Sequence, residues 1–231
     1  IASGLLQVDD ALPSERDLAA ALRVSRETVR GGVQILAARG IIEVSHGART
    51  RVVNTNVEPA TADLHEPKRI NNYDLESIHA ARLLVERKVV SDAAVRIDNE
   101  TLGLVEDFLA AQRSSLDDPV RFLISDREFH FAIYRCCGNA VLADFVSDLY
   151  AYMLDFRRKA VSRPGAIAES VGDHEKIVAG LHARDSHAVV AAFEIHLDRI
   201  YATTNSVLAS RGRQATRTLA KGRARSTGTH S

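Results

Sequence analysis

From about residue 73 to residue 209, apolar residues recur at intervals of three and four, with punctuation at Pro119, Gly138 and Pro164–Gly165. That spacing winds apolar side chains onto one face of a helix. A run of amphipathic helices between short breaks buries those faces only by packing helix on helix, so this part of the chain is expected to be an all-helical bundle. The stripes are not purely apolar. The helix beginning near Pro119 presents Leu123, Asp126, His130, Ile133 and Cys137 on one line, and the final helix presents Val189, Phe193, His196, Ile200 and Val207. Between them His174 shares a face with Ile177, Val178 and Leu181, and an earlier helix aligns Leu75, Ile78, Arg82, Val85 and Val89. His182 and His187 fall on polar sides of their helices.

Polar residues on core-facing stripes demand partners. An isolated carboxylate buried in a core costs several kcal/mol, so it is paired or coordinates an ion. Asp126 and His130 project from consecutive turns and can grip one ion, and His174 and His196 would complete a set of three nitrogens and one oxygen. Imidazole with carboxylate suits zinc first, with nickel, iron or manganese as alternatives. The plainer reading is an Asp–His hydrogen bond among core histidines. Arg82 cannot shed its proton and needs an anion when buried. Glu86, four residues on, offers an intrahelical salt bridge; a carboxylate-bearing ligand held between Arg82 and the metal is the sharper possibility.

The first 54 residues read differently. Ser14 with Asp17 starts one helix, with Leu18 and Leu22 inward, and Ser25 caps a second, with Val29, Val33 and Leu36 inward before Gly40. Two strand-like runs follow, Ile41–Val44 and Thr50–Val53. Two short helices and a hairpin predict a winged helix-turn-helix, so the fold class is mainly α: this head plus the bundle. On the second helix Ser25, Arg26, Thr28 and Arg30 present an exposed face suited to the major groove, where arginine forks onto guanine. Arg16 is placed for a phosphate, and His46, Gly47, Arg49 and Arg51 form a basic wing. A solvated face with salt bridges to Glu15, Asp17 and Glu27 is the competing interpretation, which the order of elements and the wing together outweigh.

The expected layout is residues 1–54 as DNA-binding head, 55–70 as linker, 71–209 as helical domain and 210–231 as a disordered basic tail. Formal charge follows the same divisions. The whole chain is neutral, but residues 1–57 carry +1, residues 58–208 carry −7 and residues 209–231 carry +6. Neutrality therefore does not exclude nucleic acid. Adjacent Cys136 and Cys137 are badly placed for an ordinary disulfide, which fits a reducing compartment. No apolar run approaches the roughly 20 residues that span a bilayer, and there is no signal-like start, so a cytoplasmic protein without membrane contact is expected. The only methionine is Met153, so the natural start is expected upstream of Ile1.

LPSERDLAAALRVSRETVR, followed by ARGIIEVSHGARTRVV, resembles the winged helix-turn-helix of GntR-type bacterial transcription regulators. The resemblance implies DNA contacts at Arg16, Arg26 and Arg30, with His46 and Gly47 in the wing. Two departures stand out. Ile1-Ala-Ser-Gly-Leu matches only the end of the family's first helix, and Gly31–Gly32 replaces usual helix formers. Two interior glycines weaken a helix by roughly 2 kcal/mol relative to alanine. Ala80–Glu86, D-x-x-F-H at Asp126–His130, Gly138-Asn139, and the spaced His174 and His196 are similar to the FCD effector domain of the FadR-type subfamily. That likeness implies a divalent metal on Asp126, His130, His174 and His196, an organic acid anchored by Arg82 beside it, and Tyr134 and Asn139 as further pocket candidates. The combined expectation is a homodimeric regulator, a repressor, that holds a near-palindromic double-stranded operator and responds to a small carboxylate. A metal-dependent hydrolase and a regulator with a purely structural metal are the alternatives.

Overall fold

The computed structural model of the chain describes residues 1, 5–44, 49–55 and 73–226, with side chains throughout except at 152, 155, 208 and 210–226. The head opens with α1 (Glu15–Leu22) and α2 (Arg26–Ala38). Ser14 caps α1 by accepting from the Asp17 amide at 3.2 Å, and Ser25 caps α2 by accepting from the Thr28 amide at 3.0 Å. Each serine satisfies one of the orphan N–H groups at a helix start. Arg23, in the left-handed region at φ 53°, ends α1. Gly40, at φ 67°, turns the chain out of α2 into β1 (Ile42–Glu43), which pairs antiparallel with β2 (Arg51–Val52) in the register Ile42 to Val52. The strands are shorter than the runs predicted for them. Leu6, Leu12, Ile41, Ile42 and Val52 are buried together, with Leu18, Val33 and Leu36 against them. Leu22 departs from the expected inward stripe and is 44% exposed. It is the last residue of α1, past the turn that touches the core, and Ala19 takes the inward place.

The bundle comprises α3 (Leu75–Arg96), α4 (Asn99–Arg113), α5 (Pro119–Arg135), α6 (Ala140–Tyr152), α7 (Leu154–Val161), α8 (Ala166–His182) and α9 (Ser186–Ser226). Asp74, Asp98 and Asp118 cap α3, α4 and α5 through their side chains, and Pro119 takes the first turn of α5, where a missing N–H is harmless. α5 is the central helix: Phe122 through Asp126 and Phe129 through Tyr134 are all buried, with α3, α4, α6 and α7 packed around it. α9 lies along α3 and α8 and closes the bundle. Its backbone stays helical through residues 210–226, where irregular chain was expected. Alanine, arginine, leucine and lysine in that stretch are strong helix formers and no proline interrupts them, so local propensity extends the helix beyond the apolar stripe. The expected linker lies outside the described residues apart from residue 55. Among the described residues no helix is long and apolar enough to cross a membrane.

Head and bundle meet along α5 and α7. Leu5 is buried in the bundle's core. Arg158 on α7 donates to both carboxylate oxygens of Asp10, one of them at 2.7 Å, and to the Leu5 carbonyl at 3.1 Å. Arg121 reaches Asp17 at 3.7 Å, and Arg23 pairs with Asp107 at 3.0 Å.

Candidate metal centre and nucleic-acid interface

α5, α8 and α9 bring Asp126, His130, His174 and His196 to one point, all four fully buried, with one ligand atom from each lying within 4.8 Å of the others. The geometry fixes which atoms face inward. Asp126 Oδ1 stands 3.7 Å from His130 Nε2 and 3.6 Å from His174 Nε2, and the Nε2 atoms of His174 and His196 are 3.3 Å apart. Each Nδ1 is turned outward to an acceptor. His174 Nδ1 lies 2.6 Å from Gln112 Oε1, His130 Nδ1 lies 3.4 Å from the Tyr134 hydroxyl, and His196 Nδ1 faces Asp173 at 3.7 Å. At His174 and His130 such an acceptor favours the proton on Nδ1 and leaves the Nε2 lone pair for a metal, while His196 Nδ1 makes no hydrogen bond among the described residues.

The residues fit a metal. Among the described residues Asp126 Oδ1 and His130 Nε2 are buried without a hydrogen-bond partner, and buried polar atoms are seldom left so. Ligand atoms about 2.1 Å from a tetrahedral zinc lie roughly 3.4 Å apart, close to the separations here. Burial pushes the pKa of all three histidines down, those of His130 and His174 well below the usual imidazole value, with neighbouring histidines and Arg157 adding to it for those two. Neutral imidazoles are the form that ligates. Burial pulls Asp173 upward, but His196 and Arg199 outweigh it and bring its carboxyl to about 2, so it stays an anion behind His196. When bound, the metal supplies a Lewis-acidic positive charge in a water-poor pocket.

Two arginines flank this centre. Arg82, on α3, is 2% exposed and donates through Nε to Glu86 at 2.6 Å; Tyr134, also buried, donates to the other Glu86 oxygen at 2.7 Å. The intrahelical pair read from the sequence is therefore present, and Tyr134 stands next to it. Arg157, on α7, is also 2% exposed and donates through Nη2 to Asp126 Oδ2 at 2.5 Å, an oxygen that the Tyr150 hydroxyl shares. Asn139 is exposed, and its side chain caps α6 by accepting from the Leu142 amide at 3.2 Å.

Sequence reasoning missed Arg157, Tyr150, Gln112 and Asp173. Arg157 sits in an Arg-Arg-Lys run that reads as a solvated patch. Its signal was the stripe Leu154, Arg157, Val161, an inward line broken by a cation, as at Arg82. Gln112 likewise extends the stripe Val105, Phe108, Leu109.

In the head, Arg16, Arg26, Thr28 and Arg49 are exposed, and Ser25 is committed to capping α2 while its hydroxyl lies 2.8 Å from that of Thr28. Arg30 is held by Glu15 at 3.2 Å, and Arg16 approaches Asp17 at 3.8 Å. His46 and Gly47 lie outside the described residues.

Comparison with known proteins agrees with this division. Residues 1–52 match the family of bacterial regulatory proteins called gntR, and residues 77–199 match the FCD domain. The chain is 28% identical over 205 residues to the HTH-type transcriptional repressor NanR of Cronobacter sakazakii, covering 84% of this chain and 76% of the relative. It is 26% identical over 203 residues to the Salmonella newport protein of the same name, covering 86% and 78%. Among solved structures, that of E. coli McbR/YncC shares the fold at a TM-score of 0.55 and 18% identity, covering 89% of this chain and 91% of that one. The helix-turn-helix head and the FCD domain behind it make the chain a member of the GntR family of bacterial transcription regulators.

Proposed function

We propose that this DNA-binding regulator is a repressor whose grip on its operator changes when a small organic acid binds beside a divalent metal on Asp126, His130, His174 and His196. The observation that carries this reading is the convergence of three Nε2 atoms and an unpartnered carboxylate oxygen at one buried point, with Arg82 close by. Zinc suits that donor set first. The protein works as a homodimer in the cytoplasm, placing two α2 helices on half-sites of a near-palindromic duplex. Arg26, Thr28 and Arg30, with Ser25 at the helix start, face base edges; Arg16 and Arg49 meet phosphates, and His46 and Gly47 enter from the wing. Arg30 must exchange Glu15 for DNA on docking. The acid acts only through its different affinity for the DNA-competent and DNA-released states. α7 supports a route between them, because Arg157 touches Asp126 while Arg158 touches Asp10.

Elemental analysis and operator gel shifts titrated with small carboxylates test this. One metal per chain and acid-dependent release are expected. Arg26→Ala should weaken operator binding at unchanged metal content. A metal-free protein that still releases DNA with acid, or an Arg26→Ala shift identical to the wild type, overturns the respective assignment.

A further inference from the structure

Resting on the acid-sensor reading of this site, we infer that its effector is a dianion, a short dicarboxylate, with Arg157 as a second anchor alongside Arg82. Charge balance is the first argument. Among the described residues, the ionised side chains buried against the centre are Arg82, Arg157, Glu86 and Asp126, which cancel. Asp173 is matched by Arg199 at its rim, at 2.7 Å and 3.3 Å. Neutral imidazoles add nothing, so a divalent metal leaves two uncompensated positive charges in a core. Buried charge needs a partner of opposite sign. A monocarboxylate answers half of it.

Hydrogen-bond inventory gives the second argument. Among the described residues Arg82 Nη2 and Arg157 Nε and Nη1 are buried donors without acceptors, as is Gln112 Nε2, whereas the unpartnered acceptors Asp126 Oδ1 and His130 Nε2 are those a metal takes up. The ligand must therefore bring acceptors for two separate guanidiniums. These come from different helices but border the same side chain: their carbons lie 6.0 Å and 4.7 Å from the Tyr150 ring centroid. Two guanidiniums held by different helices, α3 and α7, favour two carboxylates on a short chain over one compact anion. The cavity beside Arg157, lined also by Val161, Glu169, Ser170, Arg199 and Ile200, is about 20 Å³, room for one water.

Isothermal titration of the zinc-loaded full chain without DNA tests this, with malonate, succinate and glutarate each set against the monoacid of equal length: propionate, butyrate and valerate. At least one diacid should bind about tenfold or more tighter than its matched monoacid, the worth of one charge-assisted pair. Arg157→Gln should erase that preference, Arg157→Lys should keep it, and Arg82→Gln should weaken both classes. Zinc content reports whether each variant has an intact centre, and the wild-type comparison stands by itself if Arg157→Gln does not load. Equal affinity for diacids and monoacids, or inorganic phosphate binding tighter than every diacid, overturns the dianion while leaving the acid sensor standing. No carboxylate binding at all overturns both.

Discussion

Replacing Asp126 with asparagine isolates what the carboxylate does before any metal arrives. Arg157 is 2% exposed, and among the described residues its one ionic partner is Asp126, at 2.5 Å. Asparagine keeps the shape and an acceptor oxygen for Arg157 and Tyr150 but removes the negative charge, leaving a guanidinium buried among neutral groups. Breaking a buried pair by deleting one partner costs about 3–5 kcal/mol. For a chain of this size each kcal/mol moves Tm by about 2–4 °C, so a fall of roughly 6–20 °C is expected. Urea denaturation in EDTA, at one fixed protein concentration because a dimer's stability depends on it, gives the free energy directly. The double variant Asp126→Asn/Arg157→Met removes the stranded charge and should recover about 2 kcal/mol or more of the loss. If Asp126→Asn costs under about 1 kcal/mol, or the double variant is no more stable than the single one, the pair is not what holds α7 to α5. Zinc closes the series: it should raise the wild-type Tm and leave that of Asp126→Asn almost unmoved.

Three further outcomes are expected. Gln112→Leu takes the acceptor from His174 Nδ1, and zinc affinity measured by competition with a chelator should fall about 10- to 100-fold; an unchanged affinity would show that the ring is oriented by its stacking on Phe129 and Phe122 instead. The buried histidines take up protons less readily in the fold than in the unfolded chain, so in EDTA stability should be full above pH about 6.5 and fall as pH drops below it, by up to about 1.4 kcal/mol per pH unit for each histidine. A Tm that stays flat from pH 7 to pH 5 would refute that. Arg158→Ala should leave acid and zinc binding intact but blunt acid-driven operator release in gel shifts, because it removes the bidentate hold on Asp10; full release would place the signal path elsewhere.

Much of the centre was legible because a helix converts sequence interval into position. Asp126 and His130 are four apart on an apolar line, and that alone puts them side by side. His174 and His196 were legible as breaks in two other stripes. Arg157 was hidden by its neighbours: in Arg-Arg-Lys the first faces the core, the second the head, and Lys159 lies over the Phe156 ring, and composition averages over all three. Asn139 is the opposite case. Its place just after the metal-bearing helix invited a pocket role, but an asparagine before a helix has a nearer use as a cap. The far end of α9 was missed because the polar run carries no apolar stripe, and intrinsic propensity without a packed face leaves little trace in a pattern sought by periodicity.

Arg157 and Arg158 are consecutive residues on a helix of eight, and their side chains leave its axis about 100° apart. If the first reads the acid and the second restrains the head, the arrangement is bound by thermodynamic reciprocity. Whatever factor the acid imposes on operator affinity, the operator imposes on acid affinity. A copy of the protein seated on DNA then has a different response threshold from one free in solution, and the concentration of acid that clears a promoter depends on how many operators the cell contains.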